Sequence, residues 1–559
     1  MRERMNQPSG LSLLTMLIAC LLGPLAACAQ TPAPPGQPPS QPTTQPPAQP
    51  GTPPGARVPP ADAEPGDAPT VGGFRVTLDA ALGAEGIKLY QGRVYVVLSK
   101  WNSPEPRTRM WDWFRPSQVF AKDIFGDGLR AGQSELVLGP GSLGFPKSFE
   151  EAEKGMYYAQ AVARLSPDSN EPGKGVGDLY SEVTRVNFAE GGPGAGTIEL
   201  KLSKRVQARD FPKADRVREY FHASPKLSAF FHRDVVVNCG VILPKDWSQT
   251  DTKTYPVLYF IGGFGGDHTF ARQVHALTKG MEGADDVIIV VPDATNYRGH
   301  SVFADSANTG PWGAMLVQEL LPAIDRDFGG NGRRYVTGIS SGGWSSLWLQ
   351  VTYPDAFAGC WSHCPDPVDF RDFQRINLYA PNANMYRDDA GERRPLARGP
   401  GGRTALYYDD FVAMETVMGP GGQIHSFEAV FSPKGRDGQP RPLFDRTTGA
   451  VDPETAKAWE AYDINLVLQR TWEHLGPKLA GKLRVYAGER DTFFLEGATK
   501  NLKQTLADLG SDAEVVVVEG MGHTLHGPGV RDMFQTIARE NSAAAAPGEP
   551  GEPGEPGGK

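Results

Sequence analysis

The chain has 559 residues, 40% hydrophobic and 22% charged, which excludes collagen, coiled coil and a wholly disordered polymer and leaves room for more than one folded core. Its 56 Lys and Arg against 65 Asp and Glu give a net charge of −9, so there is no basic excess to grip a phosphate backbone, which argues against nucleic acid as a partner. Five Cys cannot organise a chain of this length as a disulfide-stapled scaffold.

At the N-terminus, Arg2 and Arg4 precede an apolar stretch from Leu11 to Leu22 that is too short to span a bilayer, and Leu25-Ala26-Ala27-Cys28 follows. This pattern predicts an export signal over residues 1–27. The four residues ending at Cys28 resemble the lipobox of bacterial lipoproteins. That resemblance implies that Cys28 is acylated and that the protein is exported and lipid-anchored to the cell envelope, at the periplasmic or outer surface. Residues 28–70 are dense in Pro, Gln, Thr and Gly, with no hydrophobic period, and predict an extended spacer rather than a core. At the other end, residues 542–559 carry Gly-Glu-Pro repeats too few for a triple helix and predict a disordered acidic tail.

Residues 71–226 read as short β segments separated by Gly and Pro turns, among them Gly92–Leu98, Glu135–Leu138, Tyr157–Ala163 and Thr197–Leu202. They predict a β-sandwich-like accessory domain and a connector. From Leu227 the pattern changes. Val235, Val237, Cys239, Val241 and Leu243 alternate, as in a strand with one buried face carrying Cys239 as a core thiol. Val257–Ile261 and Val287–Val291 are continuous apolar runs, as in strands buried on both faces. Leu316, Val317, Leu320, Leu321 and Ile324 share a helical face with Pro322 as a kink, and Leu495, Ala498, Leu502, Leu506 and Leu509 form another, ending at Gly510. Alternating strands and helices predict a mostly parallel α/β sheet, with helices on both faces, over residues 227–541. Residues 371–465, rich in Gly, Arg, Asp and Tyr, predict an insertion capping a pocket that Tyr379, Tyr386, Tyr407, Tyr408 and Glu415 could line.

The chemistry concentrates in this second part. Arg334–Thr337 is a strand, Gly338-Ile339-Ser340-Ser341-Gly342 is G-x-S-x-G, and Trp344–Val351 is helical. Small residues around a sharp strand-to-helix turn lift the Ser340 hydroxyl out of the backbone, and its nucleophilicity needs a base. The strand Glu514–Val518 leads to His523, and the strand Leu483–Gly488 leads to Asp491, which would orient the imidazole. His526 as the base and Glu489 as the acid are the alternatives. The chain order Ser340, Asp491, His523 is that of α/β-hydrolases. The glycine-rich turn Gly262-Gly263-Phe264-Gly265-Gly266 after an early strand predicts an oxyanion hole from the Phe264 and Ser341 amides. It lacks the Lys-Ser/Thr ending of a phosphate loop. Cys360, His363 and Cys364 do not form a metal set, and no metal is expected. Along a strand, Cys360 and Cys364 would stand about 13 Å apart, so a disulfide would require Pro365 to turn the chain.

These segments resemble the esterase family of α/β-hydrolases that includes esterase D, feruloyl esterases, enterochelin esterases and mycolyltransferases. The resemblance is carried by Tyr255–Gly266, Gln318–Asp325, the elbow around Ser340 and Tyr353–Gly359. It covers somewhat over half of the chain, and the preceding β-rich segment is similar, more weakly, to accessory domains of some members. One departure is Gly262-Gly263 where the family often has His-Gly, which touches the stiffness of the loop rather than its amides. The resemblance implies a serine hydrolase of small-molecule or glycan-linked carboxylic esters that needs no cofactor. Acyl transfer and peptide cleavage use the same triad, and a catalytically silent binding lipoprotein is the other class of reading. The pattern fixes no oligomeric state.

Overall fold

The computed structural model describes residues 70–545, apart from 85, 87–88, 90–91, 126–127, 190–195 and 251. The export signal, Cys28 and the Pro-rich spacer up to 69 lie outside the described residues, as does the tail from 546 onward.

The N-terminal domain is built on nine strands: β1 (Thr70–Leu78), β2 (Gly92–Ser99), β3 (Gln118–Ile124), β4 (Leu136–Leu138), β5 (Leu143–Phe145), β6 (Gly155–Ala163), β7 (Leu179–Ser181), β8 (Thr184–Phe188) and β9 (Gly196–Arg205). They form one continuous sheet in the order β4-β1-β9-β7-β6-β2-β3-β5, and β8 pairs with both β1 and β6, folding the sheet back on itself. The alternation of strand side chains sorts them between two cores. Val94, Val96 and Leu98 of β2 point into the domain with Phe74, Phe120 and Phe188. Tyr95 and Val97, with Val119 and Ala121 of β3, point the other way and join the core of the rest of the molecule.

The second sheet has eight strands: β10 (Val217–Ala223), β11 (Val236–Ile242), β12 (Tyr255–Ile261), β13 (Ile288–Pro292), β14 (Gly330–Ile339), β15 (Gly359–His363), β16 (Leu483–Gly488) and β17 (Glu514–Val518). Their order is β10-β11-β13-β12-β14-β15-β16-β17. β10 and β11 are antiparallel to their neighbours, with Tyr220 opposite Cys239 and Val241 opposite Val290. The remaining pairs are parallel, for example Tyr259 with Val336 and Ser362 with Val485. Every residue of β12, β13 and β15 is buried, as continuous apolar strands require. The sheet therefore begins at Val217, inside the segment expected to be a connector. β10 is an edge strand with only Val217 buried, so it has no apolar face to announce it.

Among the helices, α1 (Pro225–Phe231) is capped by the Ser224 hydroxyl, which accepts from the Leu227 amide. Leu316–Leu320 is a π-helical turn leading into α2 (Leu321–Phe328), which absorbs Pro322 with Leu316, Leu320, Leu321 and Ile324 buried. α3 (Ser341–Thr352) follows the elbow. The insertion between β15 and β16 contains α4 (Tyr408–Met418) and α5 (Gln423–Phe431). Phe427 and Phe431 of α5 pack with Phe370, Phe373 and Trp459, and Phe431 also meets Trp344 of α3. Helices buried on nearly all sides show little periodicity, which is why this region reads as irregular from its sequence. The helix predicted around Leu502 is α6 (Glu496–Asp508), with Gly510 at φ +67° just beyond it. α7 (Gly527–Ala545) runs four residues into the segment expected to be tail.

The two domains are joined by more than apolar contact. The last carbonyls of α4 have no partners within the helix. The N-terminal domain supplies them: Arg93 donates to the Thr416 and Val417 carbonyls at 2.6 and 2.9 Å, and the Tyr95 hydroxyl to Met418 at 2.6 Å. Arg164, only 6% exposed, donates to the carbonyls of Pro420, Ser169 and Tyr297 and stacks on the Tyr297 ring. Arg164→Ala would strand these buried carbonyls and is expected to cost at least about 3 kcal/mol in stability. Arg75→Ala, which breaks a half-exposed pair with Glu135, is expected to cost under about 1 kcal/mol. Denaturant unfolding of the two variants side by side measures the difference.

Candidate active site

All the residues expected to carry chemistry sit beyond the carboxyl ends of parallel strands. Phe264 follows β12, Ser340 follows β14, Asp491 follows β16 and His523 follows β17. Ser340 has φ 59° and ψ −125°, a left-handed conformation that a side chain rarely takes. The surroundings enforce it. A Cβ on Gly342 would stand 2.0 Å from the Ile261 carbonyl oxygen, and one on Gly338 2.4 Å from that of Gly342. The Ser340 amide donates to the His363 carbonyl at 3.0 Å, and the Asp366 amide to the Ser340 carbonyl at 3.2 Å, so β15 clamps the turn from the side.

The His523 and Asp491 side chains are buried and joined by a 2.7 Å hydrogen bond from Nδ1 to Oδ2. The other Asp491 oxygen accepts from the Phe493 amide at 2.8 Å. Burial by itself would lower the His523 pKa, but the adjacent Asp491 carboxylate overrides it and holds the imidazole well above its ordinary value. Both alternatives lie elsewhere. The His526 Nδ1 accepts from the Gly529 amide at 3.2 Å beside the Tyr486 ring, and Glu489 accepts from the Gly520 amide at 3.0 Å.

Three further side chains belong to the site: two were not singled out from the sequence, and the third was weighed there only as a metal or disulfide residue. The first is Asp366, 4% exposed, whose carboxylate accepts from the Ser341 hydroxyl at 2.5 Å and from the Ser340 hydroxyl at 3.4 Å. Burial pushes its pKa up to about 6, against the pull of those hydroxyl donors. The nucleophile candidate thus faces Asp366, while the buried Nε2 of His523 has no hydrogen-bond partner among the described residues. The second is His300. Its Nδ1 accepts from the Val302 amide at 2.9 Å, so its proton is on Nε2, which donates to the Gly262 carbonyl at 3.2 Å. Burial lowers its pKa to about 4, so this neutral brace persists across physiological pH. It stiffens the turn carrying Phe264 from a neighbouring segment, at the place where the sequence lacks a histidine of its own. The third is Cys364, whose thiol donates to the Thr524 carbonyl at 3.3 Å and ties the end of β15 to the His523 loop.

Cys360 and Cys364 are both free buried thiols. β15 ends at His363 and the chain turns at Cys364, at φ 39°, yet the disulfide considered from the sequence does not form. Cys364, Asp491 and His523 offer ligand atoms within 4.8 Å of one another, the only such trio found among the described residues. Using them for a metal would take Asp491 from His523 and would need a thiolate, whereas burial raises the Cys364 pKa and favours the thiol.

The capping insertion covers the site, though not through the residues expected. Tyr379 donates to Asp463, Tyr386 to the Arg446 carbonyl and Tyr408 to Gln374, while Tyr407 lies under Arg393. Glu415 is fully buried and accepts from the Ile424 and His425 amides at 2.9 and 3.2 Å, capping the start of α5. A small enclosed cavity beside Asp366 is instead lined by Gln374, Leu396, Phe411, Gln423, Ile424, Phe427 and Phe493. As a whole the arrangement offers a strained serine, a buried imidazole–carboxylate pair and a helix N-terminus at one point, which suits acyl transfer through a tetrahedral intermediate.

The model of the family described as "Putative esterase" matches residues 231–528. Two Mycobacterium tuberculosis proteins, "Esterase MT1326" and "Esterase Rv1288", are each 33% identical over 160 residues, covering 27% of this chain and 34% of theirs. The matched segment thus spans about a third of those relatives' length. Among solved structures, a ferulic acid esterase aligns with 58% of this chain and 98% of its own at 15% identity and TM-score 0.35. An S-formylglutathione hydrolase from Agrobacterium tumefaciens aligns with 60% and 96% at 14% identity and TM-score 0.33.

The electrostatics can be read without substrate. In imidazole-labelled protein followed by NMR, His523 is expected to titrate above an ordinary histidine and His526 below one, as burial lowers it. In Asp491→Asn the burial penalty on His523 persists and the carboxylate is gone, so its titration should fall below the ordinary range. A wild-type His523 that titrates at or below His526 would contradict the described pairing.

Proposed function

The chain belongs to the putative esterase family, and from that premise we propose that it hydrolyses carboxylic esters through an acyl-enzyme on Ser340. The observation that carries the proposal is the 2.7 Å bond between His523 and Asp491, in a dry site that also holds a strained serine.

In the proposed reaction the Ser340 hydroxyl turns from Asp366 to the free Nε2 of His523. Its oxygen attacks the ester carbonyl while Nε2 takes the proton. Asp491 keeps the tautomer and stabilises the imidazolium that forms. The Phe264 and Ser341 amides, the latter at the positive end of α3, hold the oxyanion. His523 then gives its proton to the departing alcohol, and water delivered against the same base releases the acid. Substrates of this class are small-molecule or glycan-linked esters. The lipobox-like residues before Cys28 support an acyl anchor that holds the enzyme at the cell envelope, and Cys28→Ser is expected to abolish incorporation of labelled fatty acid.

A fluorophosphonate probe is expected to label the wild type and His526→Ala, and to leave Ser340→Ala and His523→Ala unlabelled. A well-folded wild type that resists the probe would overturn the proposal in favour of a silent binding scaffold. Asp491→Asn is expected to lower kcat by roughly 10⁴. It should also move the acid limb of kcat/KM to lower pH, because the base loses the carboxylate that raises its pKa.

A further inference from the structure

One side chain from the N-terminal domain reaches the active site. Trp113 lies on the loop between β2 and β3 and is 5% exposed. Its ring meets three others: Phe264 at 5.9 Å, Phe411 at 4.7 Å and Phe493 at 6.1 Å. Each belongs to a different wall. Phe264 carries an amide of the oxyanion hole. Phe411 belongs to α4 of the capping insertion. Phe493 stands edge-on to the His523 ring at 5.1 Å.

Phe411 and Phe493 line the cavity that also contains Asp366, the carboxylate touching Ser340. That cavity has a volume of about 10 Å³, the room of a single water molecule. An acyl group would have to move the aromatic collar around Trp113, and the more so the longer its chain. The collar cannot yield freely, because the loop bearing Trp113 is anchored by Met110 and Trp111, both buried in the core shared by the two domains. The Asp112 carboxylate also accepts from the Phe114 and Arg115 amides and fixes the turn at the indole.

We infer that Trp113 is a specificity-determining residue through which the N-terminal domain closes the active site and limits it to short acyl groups. The inference rests on the esterase reading of Ser340, His523 and Asp491. It makes the N-terminal domain part of the enzyme's substrate pocket rather than a separate binding module.

The test measures kcat/KM for p-nitrophenyl acetate, butyrate and octanoate with the full chain, its Trp113→Ala, Trp113→Phe and Phe411→Ala variants, and fluorophosphonate labelling of each. The wild type is expected to prefer acetate to octanoate by a hundredfold or more. Trp113→Ala should raise the octanoate-to-acetate ratio by about tenfold or more, the scale on which a pocket discriminates methylenes. Trp113→Phe should stay near the wild-type ratio. Phe411→Ala opens the same collar from the cap side and carries the test if Trp113→Ala does not fold. A wild type that accepts octanoate as well as acetate, or folded and labelled variants with an unchanged ratio, would overturn the inference. Loss of both labelling and ester hydrolysis in the wild type would instead overturn the esterase reading.

Discussion

The architecture depends on strands β2, β3 and β6 being buried on both faces. An antiparallel sheet usually leaves one face in water. Here one face builds the N-terminal core, while Tyr95, Val97, Val119, Ala121 and Val162 pack into the core of the second domain. Arg93, Tyr95 and Arg164 then satisfy carbonyls at the end of α4 and just beyond it. The helices α4 and α5 of the insertion are buried over most of their surface, α4 leaving Asp410, Ala413 and Thr416 exposed. A serine, an imidazole and two carboxylates are in this way held in a dry enclosure, where each electrostatic interaction counts for more than it would in water.

Within that enclosure the strain at Ser340 is sustained by close packing rather than by a single bond. Gly338 and Gly342 sit where no side chain fits, against the carbonyl end of β12, and β15 bonds the turn through His363 and Asp366. The same neighbours serve twice. β12 ends in the turn that His300 braces, and β15 leads into Cys364 and Asp366 beside the His523 loop and Ser340. A change that loosens the elbow would therefore disturb the His523 loop and the glycine-rich turn together.

What the sequence could show was whatever depends on local pattern. The apolar runs of β12 and β13, the helix around Leu502 and the elbow each follow from residues within a few positions of one another. The order of Ser340, Asp491 and His523 adds a rule about where such residues fall on a parallel sheet. What it could not show was position in space. Asp366 looks like any loop acid, His300 like any turn histidine and Trp113 like one aromatic among many. Their partners lie 26, 38 and more than 100 residues away. β10 was hidden because an edge strand needs no apolar face, and the inserted helices because full burial erases periodicity.

The two buried carboxylates at Ser340 and His523 differ in environment. Asp491 bonds an imidazole and an amide. Asp366 has two serine hydroxyls and, at 3.4 Å, the Gln423 amide, and burial raises its pKa to about 6. A charge there is poorly compensated, yet it is the acceptor that holds the Ser340 hydroxyl before a substrate arrives.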